Sequence, residues 1–151
     1  MTAQNQEEQL MSDRPRTPYL GTYLIWLLVG IIGCAALLAL MRVAFGFELS
    51  AGAIAAIPPM MAAMLVGQKW AKERGVLPTS AEAWRWAIVA AIAFLSIQIL
   101  IVMMFLAAAG GPITTSTATI TGMALVLFTV VVIFINRYFL VLYAKRNLKA
   151  K

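Results

Sequence analysis

Histidine is absent from this 151-residue chain, and cysteine occurs once, at Cys34. A single cysteine excludes an internal disulfide. Without histidine, the usual zinc sites and His-based general acid/base catalysis have no side chains to work with. Charge is scarce: Asp, Glu, Lys and Arg make up 12% of the chain, where a soluble domain carries about a quarter. Acidic residues number 6 against 12 basic ones, for a net charge of +6. In a nucleic-acid binder such an excess spreads over a solvated face. Here it sits in short stretches between apolar runs, which points to anionic lipid headgroups and makes nucleic acid an unexpected partner. With 62% hydrophobic residues and a mean hydropathy of +0.88, the chain is built for a solvent other than water.

Four segments lack any charged residue: Leu20 to Met41, Leu49 to Gly67, Trp86 to Ala109 and Ile113 to Asn136. Each is long enough to cross about 30 Å of hydrocarbon at about 1.5 Å per helical residue, the second being the shortest. Continuous Leu/Ile/Val/Ala runs lack the alternation of a barrel strand, so helices are the spanning structure that satisfies every backbone N–H and C=O. The expectation is an all-α polytopic membrane protein, four transmembrane helices in one antiparallel bundle over residues 19–144. A disordered cytoplasmic tail (residues 1–18) precedes it and a basic cytoplasmic tail (residues 145–151) follows.

Counting Lys and Arg in the flanks sets the orientation. With both termini inside, Arg14, Arg16, Lys69, Lys72, Arg74, Arg85, Arg137, Lys145, Arg146, Lys149 and Lys151 share the inner side, and Arg42 alone lies outside. Tyr19, Tyr23, Trp26, Trp70, Trp84, Trp86, Tyr138 and Tyr143 fall near the same inner boundary, where amphipathic rings anchor helices. Lys69, Lys72, Arg74, Arg137, Lys145 and Arg146 are the candidate headgroup contacts. Gly110-Gly111-Pro112 suits a tight outer turn. In the inner loop Gln68 to Arg85, Thr79-Ser80-Ala81-Glu82 predicts a capping box for the third helix, and Glu82 with Arg85 a surface pair.

Gly52, Ala56, Pro59, Ala63 and Gly67 recur at steps of three and four in the second span. They form a slim face predicted to give the tightest helix contact, with Gly30 and Gly33 as its candidate counterpart. Pro58-Pro59 removes two N–H donors, so a bend is expected, with Gln98 or Thr129 supplying donors to the carbonyls of Ile54 and Ala55. The alternative is a broken helix that holds an ion or solute at the midplane; no ionisable residue lies at that depth to drive it. Met60, Met61, Met64, Met103 and Met104 admit a copper(I) reading, but methionine also fills gaps beside a bend, and no metal or other cofactor is expected. Ile31-Ile32-Gly33-Cys34 loosely follows a lipoprotein cleavage box, yet the run continues apolar to Met41 where a polar tether would begin.

The segment Ile57-Pro58-Pro59-Met60-Met61-Ala62-Ala63-Met64, then Gly67-Gln68, Pro78-Thr79, Glu82, Trp84 and Arg85, resembles an uncharacterised family of small four-span bacterial inner-membrane proteins, the ABZJ-type family. The resemblance implies a multi-pass protein of the bacterial cytoplasmic membrane and brings no activity with it. Small multidrug exporters need a membrane-embedded glutamate, which Leu20 to Met41 lacks; quinone-linked disulfide oxidases need cysteine pairs. The sequence therefore points to a non-enzymatic accessory or assembly component, with a second copy of the chain or a larger membrane protein as partner. A small-solute or ion transporter working at Pro58-Pro59 and Gln98 is the other reading.

Overall fold

The computed structural model describes residues 17–46, 54–110 and 114–149. These form four helices and, among the described residues, no strand: α1 (Leu20–Phe45), α2 (Ile57–Arg74), α3 (Ser80–Ala109) and α4 (Thr115–Lys149). By length and composition α1, α3 and α4 are able to cross a membrane. The fold is all-helical and suited to a bilayer.

The second helix departs from the sequence expectation. Ala55 and Ala56 form a turn after a helical Ile54, and α2 starts at Ile57 with its prolines in the first turn. The first N–H groups of a helix have no intrahelical acceptor, so a missing N–H costs nothing there, and the fixed φ of proline suits the position. The prolines thus stand in the first turn of α2, directly after the turn at Ala55–Ala56 that interrupts the helical chain. The same helix runs seven residues past Gly67, through Gln68, Lys69, Lys72 and Glu73 to Arg74, because lysine, arginine, glutamate and glutamine are good helix formers once the hydrocarbon ends. That polar half leaves α2 outside the set of long apolar helices. Leu49 and Gly52, and the whole of residues 47–53, lie outside the described residues.

Helix ends follow local chemistry. Gly75 closes α2 in the left-handed region at φ +66°, its N–H bonded to the Ala71 carbonyl, a conformation in which a Cβ would be strained. The expected capping box opens α3: Glu82 N donates to Thr79 Oγ1 at 3.3 Å and Thr79 N to Glu82 Oε2 at 2.8 Å. This places the start of α3 at Ser80, six residues ahead of the predicted Trp86. At the other extreme α4 continues beyond Asn136 through the basic stretch to Lys149, where cations complement the helix dipole. Residues 145–149 are therefore helical, the last turn of α4. The expected disorder of residues 1–16 and the turn at Gly111-Pro112 fall outside the described residues.

Packing places α2 between α1 and α4, and α3 against α4, with α1 touching α3 lightly. Contacts Gly30–Pro58 and Tyr19–Trp70 make α1 and α2 antiparallel; Trp84–Phe134 and Phe94–Phe128 do the same for α3 and α4. Antiparallel neighbours in sequence thus arrange into a bundle where α2 lies beside α4, running the same way. Gly67 is the closest approach: a Cβ there would sit 2.5 Å from the Leu140 carbonyl oxygen and 3.2 Å from Ala144 N.

The buried core occupies one end of the bundle. Tyr23, Leu27, Ala63, Val66, Trp86, Phe94, Val132 and Leu140 are all sealed there. Toward the other end α1, α3 and α4 expose large apolar side chains, Val43 at 87% and Met104 at 72%. The reason is where α2 begins: Pro58 stands level with Gly30, halfway along α1, so the described part of α2 fills the bundle over one half only. In water such a surface would aggregate; hydrocarbon is its matching solvent.

Candidate functional site

The core end is also the basic end. At about 1.5 Å per residue α4 is about 52 Å long, and Arg137 lies about 33 Å from its first residue, close to the far edge of a hydrocarbon layer about 30 Å thick. Around this level the aromatic rings predicted to mark a boundary meet the cations. Arg74 stacks on Trp70 at 4.4 Å, Arg137 on Trp84 at 4.5 Å, Lys69 on Tyr19 at 5.4 Å and Arg146 on Tyr143 at 5.7 Å. Such pairs hold a cation against an apolar surface with its polar edge outward.

Beneath this rim lies a polar bolt. Asn136 is fully buried; its Nδ2 donates to the Tyr23 hydroxyl at 3.2 Å, crossing the bundle from α4 to α1. Tyr23 in turn meets the Trp86 ring edge-on at 5.3 Å, and Trp86 Nε1 donates to the Pro18 carbonyl at 3.1 Å. The chain entering α1 is thereby tied to α3. Tyr19 caps α1 in the left-handed region at φ +66°. Burial raises its phenol above the ordinary value, Glu73 adding to the effect and Arg74 opposing it.

Among the predicted headgroup residues, Lys69 is half-buried, bonded to Thr22 Oγ1 at 3.3 Å and 3.8 Å from Glu73. Arg74 lies 3.8 Å from Glu82, so the ion pair of Glu82 reaches across the connection to α2. Both walls of a cavity of about 630 Å³, lined by Trp70, Arg74, Val76, Leu77, Thr79 and Glu82, belong to this connection. Lys72, Lys145 and Arg146 are exposed. The Nε of Arg137 is buried and has no hydrogen-bond partner among the described residues, as is Nε1 of Trp70.

The slim face divides. Pro59, Ala63 and Gly67 are buried, with Gly67 against the backbone of α4 at Leu140–Ala144. Ala56 lies in the turn ahead of α2 and is half-buried. On α1, Gly30 meets Pro58 of α2, and a Cβ on Gly33 would have nothing within 4 Å among the described residues.

Gln98 and Ala55 do come to one place, a second cavity of about 570 Å³ between α3 and α4. Pro58 and Pro59 offer no N–H to the carbonyls of Ile54 and Ala55, yet among the described residues no hydrogen bond joins Gln98 to them. Thr129 is not the donor either: its hydroxyl bonds the Leu125 carbonyl at 2.7 Å within its own helix. Sequence reading missed the Tyr23–Asn136 bolt. Its signal was present in the lone amide of the series Val132, Asn136, Leu140, Ala144, four residues apart and all buried. Among the described residues no group of His, Cys, Asp and Glu is arranged to hold a metal.

Comparison with family models, with curated proteins and with solved structures finds no match for the chain.

Proposed function

We propose that this chain is a non-enzymatic multi-pass component of a bacterial cytoplasmic membrane, with both termini inside and its basic end seated among anionic lipid headgroups. The carrying observation is the coincidence at one end of the bundle of the packed core, the four ring-stacked cations and the remaining Lys and Arg of α2 to α4. A rigid end that meets headgroups and an apolar end that meets lipid or another helix suit an accessory or assembly role. The partner surface is the exposed outer half of α1, α3 and α4, offered to a second copy or a larger membrane protein.

Purification from native membranes in mild detergent, with bound lipids and proteins read by mass spectrometry, tests this reading. Co-purifying anionic lipid that is lost when Lys72, Lys145 and Arg146 are replaced by Gln supports it; the same lipid complement in wild type and variant contradicts the headgroup claim. A reproducible protein partner supports the accessory role.

The cavity that brings Ala55 and Gln98 together favours a second reading, transport of a small solute. Proteoliposome flux that falls in Gln98→Ala and Pro59→Ala would support it. Flux untouched by both would remove it.

A further inference from the structure

The cavity between α3 and α4 differs from the rest of the lipid-facing surface in its hydrogen bonding. In helices at membrane depth, hydroxyls normally bond back to their own backbone, and Ser96, Thr119 and Thr129 do so, donating to the carbonyls of Ile92, Thr115 and Leu125 at 3.0, 2.9 and 2.7 Å. Thr121 does not. It lines the cavity half-buried, as does Gln98, and among the described residues neither makes a hydrogen bond. The same cavity is lined by Ala55, to whose carbonyl Pro59 offers no N–H. An amide and a hydroxyl, both without partners among the described residues, therefore meet in one space.

Position and lining restrict what completes them. Thr121 and Val131 lie about 9 Å and about 24 Å along α4 from its first residue, within the hydrocarbon layer. Leu125, Phe128 and Val131 make the remaining wall apolar, and among the described lining residues none is ionisable. A charged solute has no counter-charge there and bears the full cost of leaving water. The space, about 570 Å³, opens toward the surrounding lipid, with Ile120, Leu127 and Val131 of its lining exposed.

We infer that this cavity binds a neutral amphiphile, an apolar chain carrying one hydroxyl or amide that hydrogen-bonds to both Gln98 and Thr121. The inference concerns occupancy and holds whether or not the bound molecule is moved, so the flux measurement above and the binding measurement below fail independently.

The test uses the full chain in phosphatidylcholine vesicles and three photoactivatable diazirine probes of equal length: a hexadecanol, a hexadecane and a hexadecanoate. Hexadecanol is expected to label the segment around Ala55 or residues 117–131 saturably, with competition by unlabelled hexadecanol. Gln98→Leu and the isosteric Thr121→Val are each expected to weaken that labelling about fivefold, the equivalent of one hydrogen bond. Because both variants remove an unpartnered polar group from an apolar wall, neither threatens the fold, and monodispersity in detergent checks this. Hexadecane is expected to label weakly and without regard to either variant. Labelling by hexadecane or hexadecanoate equal to that by hexadecanol, or hexadecanol labelling unchanged in both variants, would overturn the inference. Absence of saturable labelling, the result for a space filled by lipid tails or water, would overturn it as well.

Discussion

At the residue scale two positions govern close contacts between the helices. Asn136 is an amide in an apolar core, and its burial is tolerable because Tyr23 supplies the partner. Tyr23→Phe leaves that amide unsatisfied and is expected to lower stability by about 1–2 kcal/mol, toward the upper range for polar contacts inside membrane bundles. Adding Asn136→Leu should recover much of the loss, since removing both partners removes the penalty. Reversible unfolding in bicelles measures the cycle; additive single-site costs would show that the two groups do not act as a pair. Gly67 is the other position. Any Cβ collides with the Leu140 carbonyl, and backbone cannot swing aside as a flexible side chain does. Gly67→Ala is accordingly expected to cost about 1–3 kcal/mol by forcing α2 and α4 apart. Gly33→Ala, with open space around it, serves as the neutral control.

At the scale of elements, hydropathy and caps were readable to different depths. Charge-free runs located α1, α3 and α4 because lipid admits little else, and Thr79 with Glu82 marked the capping box that opens α3. Where helices stop was less legible. Apolar runs report the thickness of hydrocarbon, whereas α2 and α4 continue into water as long as their residues favour a helix, to Arg74 and Lys149. Pro58-Pro59 was ambiguous for a different reason. Proline fits equally well in the first turn of a helix or inside a bend, so its position along the element is not legible from the pair alone; in the fold Pro58 stands against Gly30 of α1. Of the candidate site, the meeting of Gln98 with the proline break was foreseeable from depth; the unpartnered Thr121 was not, because other threonines of the same helix look identical in sequence and bond to their own backbone. Pro59→Ala restores an N–H to the carbonyl of Ala55 and is expected to extend α2 backward across Ala55–Ala56. Hydrogen exchange in detergent should then show a protected amide at position 59 and slower exchange at Ala56 and Ile57. Unchanged exchange at those two amides would mean that the break has a cause other than the missing N–H.

At the scale of the whole molecule, the chain is asymmetric along its axis. One end holds the sealed core, the stacked cations and the hydrogen bond from Trp86 to Pro18; the other exposes Val43, Met104 and Phe105 on helices that need lipid or a partner around them. That asymmetry underlies the account given of orientation, headgroup contact and midplane cavity alike. It is tested most directly by site-specific labelling of intact cells on a Cys34→Ser background, with a membrane-impermeant maleimide and single cysteines at two exposed positions, Val76 in the α2–α3 connection and Thr114 ahead of α4. Thr114→Cys is expected to react in intact cells and Val76→Cys only after permeabilisation. The reverse pattern, or both positions reacting from one side, would contradict a basic end that faces inward.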